Sequence, residues 1–158
     1  MDVASREAAL QLAKEYDKIR EAMPAGDERT RTMEGVFSRM KITAPKVQSS
    51  LSAFQQSSSA GERLMAIAVL DMFPEANHLA WLAERMNPEH EKPFVAYHAA
   101  VALLDAVTNL PSEDCAKLEA ALAEAKKLAL RLKGDPVRLN VLARAEEELA
   151  RKCQNPKG

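Results

Sequence analysis

S-A-G-E-R-L-M-A-I-A-V-L-D-M-F-P over Ser59 to Pro74, L-A-W-L-A-E-R-M over Leu79 to Met86, and E-K-P-F-V-A-Y-H-A-A-V-A-L-L over Glu91 to Leu104 decide the fold. The three segments read as successive short helices, punctuated by Pro74 and Pro93. Each is apolar over more than one narrow stripe. A helix is apolar on several faces when neighbours cover it on two sides, as in a stacked helical array. Such arrays are generally surfaces that hold a partner.

The periodicity extends outward in both directions. Leu12, Tyr16, Ile19 and Met23 share one face of a helix from about Val3 to Met23, which Pro24-Ala25-Gly26 stops. Asp27 is expected to cap a second helix, whose buried stripe is Met33, Val36, Phe37 and Met40. Pro45 opens a third, burying Val47, Leu51 and Phe54. Ser59 and Glu62 form a capping box for the fourth. The fifth presents Leu79, Leu82, Ala83 and Met86, and Asn87-Pro88 ends it. The sixth runs from Pro93 to Leu110. Ser112 caps a seventh, with the seam Cys115, Leu118, Leu122, Ala125, Ala129 and Leu132. Gly134 stops it, Asp135 caps the eighth, and Pro136 takes the first helical position. The eighth helix buries Val141 or Leu142, Ala145, Leu149 and Cys153, and the tail 154–158 is expected to fray. The expected class is therefore all-α: a short helical-repeat array or a compact bundle of about eight antiparallel helices. The 158 residues fit a single domain, with a C-terminal helical hairpin over 112–154.

Composition excludes several functions. A net charge of −1 gives no general attraction to nucleic acid or to an anionic membrane. No uncharged apolar run approaches the roughly 20 residues of a membrane span, and the acidic start M-D-V-A-S-R-E is not a signal peptide. Cys115 and Cys153 are too few and too distant in sequence for a disulfide framework or a zinc knuckle. On apolar faces, they read as two reduced core thiols of a cytoplasmic protein. No P-loop, G-x-G-x-x-G, H-E-x-x-H or G-x-S-x-G is present, and no cofactor is implied.

The 26–107 stretch resembles a helical, HEAT- or armadillo-like domain of bacterial signalling and conflict proteins, where it accompanies TIR, caspase-like or trypsin-like effector modules. The residues that carry the resemblance are Gly61-Glu62-Arg63-Leu64, Ala66-Ile67, Pro74, Trp81-Leu82-Ala83-Glu84-Arg85, Glu91-Lys92-Pro93-Phe94 and Tyr97-His98-Ala99-Ala100, with Gly26 to Met33 and Met40 upstream. The resemblance implies an adaptor or sensor role with no active site to carry over. This chain departs from the pattern in carrying no effector module.

Few side chains stand outside the core pattern. His78, His90 and His98 are 12 and 8 residues apart on different elements, a spacing unlike that of metal ligands. His98 shares a stripe with Ala102, Asp105 and Asn109 that is expected to face solvent or a groove, while Phe94, Tyr97, Val101 and Leu104 form an apolar line. The alternative for His98 is a bond to a neighbouring helix or to Glu91. Trp81 lies off its helix's apolar face, in line with His78 and Arg85, so Arg85 can cover the indole. Structural packing of Trp81 is the competing reading. Arg63 is expected to bridge to Glu91 or Asp71. Arg29, Arg31, Arg39, Lys41 and Lys46 give the N-terminal third a local basic character, interrupted by Glu28 and Glu34.

The functional expectation is a non-enzymatic protein-interaction module. Its partner, an effector or an effector's regulator, would meet Trp81, Arg85, His98 and His78. The alternative is a nucleic-acid-binding helical repeat using Arg29, Arg31 and Arg39. An acid–base pair of Glu91 with His98 would be the enzymatic reading. A homodimer through the last two helices also stays open.

Overall fold

Twenty residues from Val3 to Ala22 form the first helix, α1, and their buried face is Ala9, Leu12, Ala13 and Tyr16. The computed structural model describes residues 3–132 and 136–154. The expected stop at Gly134, the cap at Asp135 and the tail beyond Gln154 lie outside the described residues. Among those described, the chain is all-α, with eight α-helices and no strand. Its contacts divide it into two compact units, Met1–Met72 and Phe73–Gly158.

In the first unit α1 is followed by α2 (Asp27–Thr43), α3 (Leu51–Gln55) and α4 (Ala60–Met72). The stripe Met33, Val36, Phe37 and Met40 is buried, as the periodicity requires. Asp27 is not the cap of α2 but its first residue. Gly26 holds the N-cap position at φ 151°, a backbone region that side chains other than glycine's rarely adopt. The third helix is shorter than its apolar spacing implies. Ala44–Lys46 and Gln48–Ser50 are 3-10 turns, and only Leu51–Gln55 is α-helical. Ser49 and Ser50 are poor helix formers, and α geometry begins only at the buried Leu51.

Helix α4 packs against α1, α2 and α3. Its residues Leu64 to Leu70 are all buried, which explains its apolar circumference. The exception is Met72, half-exposed in the last turn. Its start is held by three side chains. Ser59 Oγ accepts the Glu62 N–H at 3.1 Å, so half of the expected capping box exists. The reciprocal half is replaced: Ser57 Oγ accepts the Ser59 N–H at 3.0 Å. From α1, the Asp17 carboxylate accepts the Ser59 hydroxyl at 2.6 Å and the Gly61 N–H at 2.9 Å. One turn further along α1, Ala13 passes so close that a Cβ on Gly61 would stand 2.1 Å from its carbonyl oxygen. Only glycine admits that crossing.

The second unit holds α5 (Leu79–Glu84), α6 (Pro93–Asn109), α7 (Cys115–Ala129) and α8 (Pro136–Cys153). A 3-10 turn, Ala76–His78, leads into α5. Ser112–Asp114 forms another before α7, so Ser112 belongs to that turn and does not cap the α-helix. Helix α5 packs on α7 and α6 on α8, while α5–α6 and α7–α8 also touch. That is the arrangement of two stacked helix pairs. The second helix of the front pair, α6, buries Ala96, Ala99, Ala100, Ala102 and Ala106, small residues that let its neighbours approach closely.

Two devices close the far end of this unit. Lys152 Nζ donates to the Val107 carbonyl at 2.6 Å and to the Leu110 carbonyl, meeting two of the acceptors that α6 leaves unpaired at its C-terminus. Beside it, Cys153 is joined to Cys115 by a disulfide, with a Cα–Cα distance of 6.1 Å. The expectation of two reduced core thiols is thereby corrected. Both residues are half-buried at helix ends, where no core packing separates them.

Candidate functional site

The site begins with the end of α5. The last turn tightens into 3-10 geometry: the Arg85, Met86 and Asn87 N–H groups donate to the carbonyls of Leu82, Ala83 and Glu84. Asn87 then organises the loop. Its side-chain oxygen accepts the Glu89 N–H at 3.0 Å, and its carbonyl accepts from His90 and Glu91. This folds the chain back and brings Glu91 over Arg85.

Arg85 Nη1 donates to Glu91 Oε2 at 2.8 Å, and the two side chains are 10% and 1% exposed. Its Nε donates to the Trp81 carbonyl at 3.2 Å. The guanidinium carbon lies 4.6 Å from the centre of the Trp81 ring, so the expected cover of the indole is present. Burying an ion pair is favourable only with good geometry and further bonds, and both are supplied here. The result is a half-buried tryptophan whose backing cation cannot swing away. His78, one turn before Trp81, is also half-buried, and its Nε2 lies 3.9 Å from Glu75.

His98 is placed differently from the expectation. It is 6% exposed, as buried as the core around it, and Ala102 on the same stripe is fully buried. The rings of Phe94 and Tyr97 meet its imidazole edge-on at 4.7 and 5.1 Å. The first half of the supposed outward stripe, His98 and Ala102, faces inward because α6 is covered by α5, α7 and α8, while Asp105 is half-buried and Asn109 exposed. The larger line of Phe94, Tyr97, Val101 and Leu104 is left half-buried. His98 therefore does not line a surface. Glu91, its proposed acid–base partner, has its carboxylate engaged by Arg85.

Two of the three arginines of the second surface have partners within the chain. Arg29 Nη1 donates to the Arg20 and Met23 carbonyls at 3.4 and 3.3 Å, closing the end of α1. Arg39 forms a two-pronged pair with Glu15 at 3.2 and 2.7 Å. That carboxylate raises the Arg39 pKa above its ordinary value, mainly through the hydrogen bond. Arg31 is exposed on the outer side of α2. Arg63 Nη1 donates to the Ser57 carbonyl at 2.9 Å.

Open clefts also mark the surface. Ala8, Leu12, Glu15, Arg39, Ile42 and Thr43 line one of about 370 Å³ between α1 and α2, and Ile42 on its rim is 76% exposed. Glu119, Leu122, Glu146, Leu149 and Cys153 line another of about 330 Å³ between α7 and α8. Among the described residues no cluster of His, Cys, Asp or Glu could hold a metal ion, and no helix is long and apolar enough to cross a membrane.

Sequence reasoning found Trp81 and Arg85 but missed Glu91 as the fixing group. It also missed Asp17, Gly61 and Lys152. Gly61 did carry a signal, being a glycine inside a helical pattern, which marks close backbone approach. Asp17 and Lys152 carried none, because their partners lie 42 or more residues away. Compared with known proteins, the chain matches no protein family, no curated protein and no solved structure.

Proposed function

We propose that this chain is a non-enzymatic protein-interaction module that presents Trp81 to a protein partner. The observation that carries this reading is the half-buried Trp81 ring, backed at 4.6 Å by an arginine that Glu91 holds in place. Aromatic side chains held rigid before binding lose little freedom when they are covered, and tryptophan is the residue most enriched at energetic hot spots. His78 flanks the ring on the same helix face, while Arg85 acts from behind by fixing it. His98, only 6% exposed, is left out of the contact surface in this reading. In bacterial signalling or defence, the setting that the family resemblance implies, the partner is an effector or its regulator. The cytoplasm is the compartment of this reading.

The test is a Trp81→Ala variant used as the control in a pull-down from native cell extract. Arg85→Ala is unsuitable for this purpose, because it strands a buried carboxylate and weakens the fold. We expect the native chain to enrich a protein that Trp81→Ala loses while keeping native helicity by circular dichroism. Equal enrichment by both forms sinks the assignment of the surface.

A further inference from the structure

We infer that the Cys115–Cys153 bond is a reversible redox clasp on the last turn of α8, a thiol–disulfide exchange site that takes a dithiol reductant as its reaction partner. The inference is independent of the Trp81 surface. It rests on where the bond lies. It joins the first residue of α7 to the last residue of α8. Inward of it, the seam is held by ordinary packing: Leu118, Leu122 and Ala125 on α7 and Leu142, Ala145 and Leu149 on α8 are all buried. Beyond Leu149, Ala150 and Arg151 are exposed, and Arg151 pairs only within its own turn, with Glu148. The turn is tied to the rest of the unit through Cys153 and the adjacent Lys152. Cutting the bond therefore releases one turn and leaves the seam in place.

The released turn carries a function of its own. Lys152 donates to the Val107 carbonyl in the last turn of α6 and to the Leu110 carbonyl just past it. Release of Cys153 loosens the adjacent Lys152, and the end of α6 opens with the end of α8. The α7–α8 cleft lined by Leu122, Leu149 and Cys153 widens at the same place. Both sulfur-bearing residues are half-buried, so a small thiol can reach them. In the cytoplasm bonds of this kind are transient or redox-sensing, and there they answer to the thiol pool.

The exchange balances as follows. A thiolate of the dithiol attacks one sulfur of the bond, forming a mixed disulfide and releasing the other cysteine, which takes up a proton. The second thiol of the reductant then attacks the mixed disulfide and leaves as a cyclic disulfide. Two electrons and two protons pass to the pair, giving two cysteine thiols.

The experiment is hydrogen exchange on the full chain, poised with glutathione disulfide and then with dithiothreitol, with thiol alkylation read by mass spectrometry. We expect both thiols to be protected from alkylation in the oxidised form and both to be alkylated after reduction without denaturant. Exchange should then rise about tenfold or more over 150–154 and in the last turn of α6, with the α7–α8 seam unchanged. Re-oxidation should restore protection, and a Cys115→Ser/Cys153→Ser variant should exchange like the reduced protein in both redox buffers. Three results overturn the inference: free thiols in the oxidising buffer, unchanged exchange after reduction, or exchange raised throughout α6, α7 and α8. The third would make the bond a staple of the whole unit.

Discussion

Gly61 and Arg85 show how much a single position can decide. A methyl group on Gly61 would meet the Ala13 carbonyl at 2.1 Å, and backbone cannot yield as a flexible side chain can. Gly61→Ala should therefore lower stability by about 2–3 kcal/mol, although alanine is the better helix former by about 1 kcal/mol. Urea denaturation measures the difference; a neutral or stabilising result would mean that α1 and α4 can part without cost. Arg85→Ala leaves the Glu91 carboxylate buried without its cation and should cost about 3–5 kcal/mol. Replacing both partners, as Arg85→Met/Glu91→Leu, should cost clearly less than the single change. A double variant as unstable as Arg85→Ala would show that the pair's packing, not its charge, matters. At this scale the sequence was partly legible. The stacking of Arg85 on Trp81 follows from their i, i+4 spacing. The Glu91 bond does not, because it depends on how the Asn87 loop folds back. His98 misled for a related reason: a polar residue between apolar lines reads as outward-facing unless it is known that three helices surround its own.

Helix ends, more than helix bodies, organise the elements. The bodies were legible from periodicity: the stripes of α2 and α5 are buried as their spacing dictates, as are Leu118, Leu122, Ala125 and Ala129 of the α7 seam, though not Cys115 or Leu132. The ends were not, since their partners come from distant parts of the chain. Asp17 caps α4 from α1, Arg29 closes α1 from α2, and Lys152 closes α6 from α8. Lys152→Met keeps most of the side chain's apolar stem and removes the donor. It should cost about 1 kcal/mol, half-burial and solvent screening holding the value down. The loss should appear in hydrogen exchange at the end of α6 before it appears elsewhere. Uniform change along α6 would assign Lys152 to packing instead.

Over the whole molecule, two units each bury their own core, and the disulfide lies wholly within the second. Fold class was legible from the proline-punctuated apolar segments. Division at Phe73 was not, because nothing in the composition changes there and the contacts that define it are long-range.

Lys152 also sets a timetable for synthesis. Its acceptor at Leu110 is made 42 residues earlier. At translation rates of about 5–20 residues per second, the end of α6 waits roughly 2–8 s for the side chain that closes it. During that interval the open carbonyls of a nascent helix are exposed to whatever else can donate to them. A pause between α7 and α8 would lengthen the exposure, so codon choice over 130–150 is a lever on the yield of this protein that leaves every residue of it unchanged.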